Sequence, residues 1–139
     1  SMVLKNDGSL WAMGSNSYGQ LGIGSYDNQN QPMLVAEGVK AVSAGRYAHT
    51  MFITEDGELW AMGSNSTGEL GIETYGEQAW PVFVMDGVSA VSCGAYHSVV
   101  MTVDGMLYVT GQNDYGQFGN GTEEGSSEFI PMYWPLNDW

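Results

Sequence analysis

Residues 54–71 read T-E-D-G-E-L-W-A-M-G-S-N-S-T-G-E-L-G, and the pattern occurs twice more. Residues 5–22 read K-N-D-G-S-L-W-A-M-G-S-N-S-Y-G-Q-L-G, and residues 102–119 read T-V-D-G-M-L-Y-V-T-G-Q-N-D-Y-G-Q-F-G. The markers keep step: Asp7, Asp56 and Asp104 lie 49 and 48 apart, as do Asn16, Asn65 and Asn113, while Pro32, Pro81 and Pro131 lie 49 and 50 apart. A period of this length signals stacked supersecondary units, because one such unit cannot bury its apolar face alone.

Within one period the chain alternates short apolar runs with turn residues. Val3-Leu4-Lys5 leads into Asp7-Gly8, a pair that suits a two-residue hairpin turn with positive φ at both central positions. Ser9 to Gly14 is the returning strand. Glycines then recur at fixed offsets (Gly14, Gly19, Gly22; Gly63, Gly68, Gly71; Gly111, Gly116, Gly119), which predicts a shaped loop whose backbone a Cβ would obstruct. No Gly-Lys-Ser/Thr follows, so this loop is not a phosphate cradle. Polar tips at 25–31, 73–80 and 122–130 differ among the repeats while their flanks agree, the usual place for recognition in repeat proteins.

Two further strand types complete the period. Pro32–Val35 and Pro81–Val84, with 131–134 as the third copy, are short strands led by proline, which a strand start or a sheet edge tolerates. Val39–Gly45 and Val88–Gly94 are rich in Ala, Ser, Cys and Gly, which predicts crowding near an axis. His49–Thr54 and His97–Thr102 then lead back to the Asp-Gly turn. The expectation is all-β: four short antiparallel strands per repeat, the pattern of a propeller blade, with about eleven strands in about three blades. Approximate repeats are 1–38, 39–87 and 88–139.

These motifs closely resemble the regulator of chromosome condensation family. Its pattern Asp-Gly-x-Leu-Trp-x-x-Gly-x-Asn-x-x-Gly-Gln-Leu-Gly, then Pro-x-x-Val, then Val-x-x-Val-x-x-Gly-x-x-His, is met at 56–71, 81–84 and 88–97. The departures are Met13 and Met62 for a second tryptophan, Tyr108 for the first, Glu69 for glutamine, and one extra residue between Gly45 and His49. The resemblance implies a propeller, commonly of seven blades, of which this chain supplies an incomplete set. Open blade edges recruit other strands. Self-association, with two copies forming a six-bladed ring, is therefore an expectation.

Charge narrows the partners. Three basic residues (Lys5, Lys40, Arg46) face sixteen acidic ones, for a formal net charge of -13. Such a chain repels nucleic-acid phosphates and anionic lipid, and favours a basic protein partner. A single cysteine, Cys93, excludes an internal disulfide and reads as a buried small side chain. No cofactor or metal is expected: Asp7, Asp56 and Asp104 are explained by turns, His49 and His97 recur as blade residues, and Trp11 and Trp60 read as core. Asn65-Ser66-Thr67 and Asn120-Gly121-Thr122 fit a glycosylation sequon that also arises by chance.

The resemblance places the residues after the small-residue strand on one outward face, so Arg46, Tyr47, Ala95 and Tyr96 are the first candidate contacts. Tyr26, Tyr75 and Trp80 form a second set on the variable tips. The expected function is a non-catalytic protein-binding scaffold. Competing readings are a self-assembling module without another ligand, a carbohydrate-binding propeller using Trp80 and the tyrosines, and part of a guanine-nucleotide exchange factor. The acidic, cysteine-poor composition and family analogy lean toward a secreted or surface protein of a bacterium.

Overall fold

The computed structural model describes residues 1–132. It contains eleven strands: β1 Met2–Leu4, β2 Leu10–Gly14, β3 Gln29–Ala36, β4 Val39–Ala44, β5 His49–Thr54, β6 Leu59–Gly63, β7 Gln78–Met85, β8 Val88–Cys93, β9 His97–Thr102, β10 Leu107–Gly111 and β11 Ser126–Pro131. They form three antiparallel sheets, β1-β2-β3, β4-β5-β6-β7 and β8-β9-β10-β11, each meandering in sequence order. These are the expected blades. Tyr133 and Trp134 of the third Pro-led copy lie outside the described residues.

The apolar core sits between blades. Leu10, Val39, Phe52 and Met62 form one buried cluster joining the first and second sheets, and Met51, Ile53, Leu59, Leu70, Val88 and Val100 form another joining the second and third. Trp60 is half-buried rather than enclosed: its ring lies 6.5 Å from Phe52 and edge-on, 5.7 Å, to Phe83. The small-residue strands do meet. Ser43 Oγ on β4 accepts the N–H of Cys93 on β8 at 2.9 Å, a proximity that larger side chains would prevent.

Two local expectations are corrected. Each Asp-Gly pair lies in a three-residue loop, a type I turn followed by a bulge, and not in a two-residue turn. Gly8 N–H bonds Lys5 C=O and Lys5 N–H bonds Ser9 C=O, both at 3.0 Å, and only the glycine has positive φ, +83°. Asp7 serves as an acceptor instead, bonding the Ser9 N–H at 3.0 Å. The outer strands also begin three residues before Pro32 and Pro81. Proline is tolerated there because the ladder slips between Ala12 and Gly14, and between Ala61 and Gly63, so that its missing N–H falls in a bulge.

Candidate functional rim

All three repeats send their long loops to the same end of the sheets. β2, β6 and β10 end there, at Gly14, Gly63 and Gly111, and the short β4–β5 and β8–β9 turns share that end, as the pairings Ala44↔Thr50 and His49↔Gly63 show. The loops are held by a buried asparagine. Asn16, Asn65 and Asn113 are fully buried, and each Oδ1 accepts a backbone N–H five residues on, from Leu21, Leu70 and Phe118 at 2.8–3.1 Å. Each Nδ2 donates across the loop to carbonyls such as Ser25, Thr74 and Thr122 at 2.7–2.9 Å.

The glycines let the first two loops lie on the outer strand of the following blade. A Cβ on Gly19 would stand 2.6 Å from Ala79 Cα, and one on Gly68 would stand 2.5 Å from Ser127 Cα. Gly24 N–H bonds Ala79 C=O at 2.9 Å, and Glu73 N–H bonds Ser127 C=O at 2.8 Å. The shaped loop is thus an inter-blade seam.

Near the axis the first candidate set comes together. The rings of Tyr47 and Tyr96 stack with centroids 4.5 Å apart and planes 3° from parallel, and the Arg46 guanidinium lies 5.5 Å from the Tyr47 centroid. Arg46 N–H also bonds Gly94 C=O at 3.2 Å. Arg46 is exposed and makes no ion pair among the described residues. Ala95 is half-buried beside Tyr96. The extra residue between Gly45 and His49 leaves Ala48 at φ +71°, a left-handed conformation that is strained for a residue with a Cβ.

The second set is more scattered. Tyr26 and Tyr75 are on loop tips, both exposed. Trp80 belongs to strand β7 and not to a variable loop; its indole covers Gly24 of the preceding loop while remaining 65% exposed. The sequence reading missed Tyr18 and Tyr115, exposed on the same rim two residues after the buried asparagines. Their shared Asn-x-Tyr-Gly context was the available signal. Gln20 Oε1 holds the Tyr18 N–H at 3.0 Å and Gln117 Oε1 holds that of Tyr115 at 2.9 Å. In the middle repeat Glu69 takes this place, fully buried, accepting from Thr67 N–H at 2.8 Å and from the hydroxyls of Thr67 and Ser64 at 2.7 Å.

A cleft of about 510 Å³ opens on this rim, with Tyr18, Gln20, Arg46, Tyr47, Ser64 and Tyr96 among its walls. His49 forms its floor, fully buried, with Nε2 3.0 Å from Ser98 Oγ. The Ser98 hydroxyl donates to Glu69 C=O at 2.8 Å, so it receives the imidazole proton and is not deprotonated by it. That polarity is wrong for an activated serine. Burial pushes His49 down to about 4, and burial likewise lowers His97. Burial also raises the Cys93 thiol to about 11, which makes it a poor nucleophile. Among the described residues no three His, Cys, Asp or Glu side chains are grouped to hold a metal.

Comparison with known proteins follows the same architecture. The model of the regulator of chromosome condensation (RCC1) repeat matches residues 7–53 and 56–101, and a second model of that repeat matches 39–69 and 88–117. Human WBSCR16 superposes with a TM-score of 0.84 at 22% identity, over 97% of this chain and 37% of its own. Two structures of the Saccharomyces cerevisiae protein Prp20 also match. Yeast RCC1 (Prp20) bound to Kap60 gives 0.82 at 20% identity, covering 98% and 35%. Prp20p, in a study of its binding to Gsp1p and histones, gives 0.85 at 21%, covering 98% and 36%. The chain thus spans little more than a third of the length of these proteins. No curated protein sequence matches it.

Proposed function

This chain belongs to the regulator of chromosome condensation (RCC1) repeat family, and from that premise we propose that it is a protein-binding module that acts without catalysis. The observation that carries the reading is the stack of exposed Arg46 and Tyr47 on half-buried Tyr96, set among loops rich in Tyr, Ser, Gly and Asn. Tyr and Arg anchor interfaces because they bring large, rigid contact area together with hydrogen-bonding capacity. Six exposed carboxylates ring the same end, on Asp27, Glu73, Glu77, Asp114, Glu123 and Glu124. They bias association toward a basic partner. Tyr18, Tyr26, Tyr75 and Tyr115 extend the contact area outward, with Ala95 the small spacer beside the stack. The Prp20 structures support the reading by analogy, since that protein is described with the protein partners Kap60, Gsp1p and histones.

Photo-crosslinking tests it. A crosslinker placed at Tyr47 or Tyr75 captures the partner, whereas one at Val103 on the opposite, hairpin end captures none. Equal capture from both ends would count against the rim.

A second reading rests on β1. The strands β5 and β9 are each flanked by two neighbours, but β1, at the same place in its sheet, pairs only with β2 among the described residues. We propose that the isolated 139-residue chain satisfies this edge with a second copy. Light scattering across a dilution series then gives a dimer or larger closed species; a monomer at all concentrations would remove this reading.

A further inference from the structure

Asn120-Gly121 is the one Asn-Gly pair of the chain, and it stands exposed in the loop after β10. Asn120 Oδ1 accepts two hydrogen bonds from Thr122, from its N–H at 3.1 Å and its hydroxyl at 2.9 Å. Gly121 has φ +82°, and among the described residues no atom beyond its chain neighbours lies within 4 Å of where its Cβ would stand. Its own N–H makes no hydrogen bond among the described residues.

These features together favour attack on the Asn120 side chain. Closing Oδ1 onto the N–H two residues ahead folds the side-chain carbonyl carbon back over the intervening peptide nitrogen. Two donors on Oδ1 draw electron density from Cγ and stabilise the charge that oxygen gains as the carbon becomes tetrahedral. Glycine leaves the nitrogen unshielded. The three loop asparagines Asn16, Asn65 and Asn113 lack this opportunity, being fully buried with both amide atoms engaged.

We propose that Asn120 is a site of spontaneous modification through a succinimide. The Gly121 nitrogen gives its proton to water or hydroxide and attacks Asn120 Cγ. A C–N bond forms, the side-chain nitrogen takes up a proton from water, the Cγ–Nδ2 bond breaks, and ammonia leaves. Water then adds to either carbonyl of the five-membered ring and opens it to aspartate or to isoaspartate. No oxidant or reductant takes part. The product places another carboxylate on the rim beside Glu123 and Glu124, and in the isoaspartyl form inserts a methylene into the loop backbone.

The test is an ageing series on the folded chain made without glycosylation, at neutral and mildly alkaline pH, read by peptide mapping, isoaspartate-specific methylation and ammonia release. Conversion at Asn120 is expected to outrun that at Asn6, Asn28 and Asn30 several-fold, to rise with pH, and to vanish in Asn120→Gln. Thr122→Val should slow it and Thr122→Ser should not. Conversion at Asn120 no faster than at the other exposed asparagines, or appearing only once the chain is unfolded in urea, would overturn the proposal.

Discussion

At the scale of single residues, buried polar groups set the sharpest constraints. His49 is enclosed and held neutral, with Nδ1 unpartnered among the described residues. Above its unfolded value near 6.5 both states are neutral and it contributes nothing to pH dependence. Between 6.5 and about 4 the unfolded chain takes a proton that the folded chain refuses, so stability falls as pH falls. The loss across that window is about 3 kcal/mol. Urea unfolding at a series of pH values measures it, and His49→Gln should flatten the curve between 6.5 and 4. Below that window Asp7 and Asp104 add a further loss, because hydrogen bonds from Ser9 and Thr102 lower their carboxyls. The loop asparagines give a second prediction. Asn65→Ala strips the partners from the buried Leu70 N–H and from Thr74 C=O, and should cost roughly 2–3 kcal/mol, with faster amide exchange at Leu70. The spacing of Asn16, Asn65 and Asn113 marked the repeat from sequence alone. Their burial was not legible, because their partners are backbone groups that carry no residue identity.

At the scale of elements, the seam between one blade's loop and the next blade's outer strand decides whether the repeats hold together. Gly68→Ala meets the backbone of Ser127 and sits at φ +81°. It should destabilise by about 2–4 kcal/mol, combining overpacking with left-handed strain. Gly38→Ala is the control: φ is +66° but the space is open, so only strain of about 1–2 kcal/mol applies. Thermal melts of both variants separate clash from strain. Strand number and order were legible because alternation and Asp-Gly spacing are local signals. The turn type was not: the same dipeptide serves two hairpin geometries, and the hydrogen bonds of Lys5 and Ser9 decide between them. Nor was the strand membership of Trp80, since a ladder slip hides the start of β7 behind a proline.

At the scale of the whole molecule, the two ends of the blades differ. One carries the Asp-Gly hairpins and the Glu37-Gly38 and Asp86-Gly87 crossovers; each hairpin glycine carbonyl, on Gly8 and Gly57, bonds the first N–H of the next blade, on Val39 and Val88, at 2.9–3.0 Å. That end joins consecutive repeats by backbone hydrogen bonds, as the loop seams do at the other. The other end carries Tyr18, Tyr26, Tyr47, Tyr75, Tyr115 and Arg46, exposed and free of internal ion pairs among the described residues, with Tyr96 half-buried beneath Tyr47. Sequence reasoning named the axial set by family resemblance; the parallel stacking of Tyr47 on Tyr96 required the folded geometry, because those residues are 49 positions apart.

The most direct measurement is calorimetric titration of the crosslinked partner, once purified, against the native chain and the Tyr47→Ala/Tyr96→Ala variant. The rim account predicts at least a tenfold loss of affinity, about 1.4 kcal/mol or more, with the melting transition retained. Unchanged affinity in a folded double variant would contradict it.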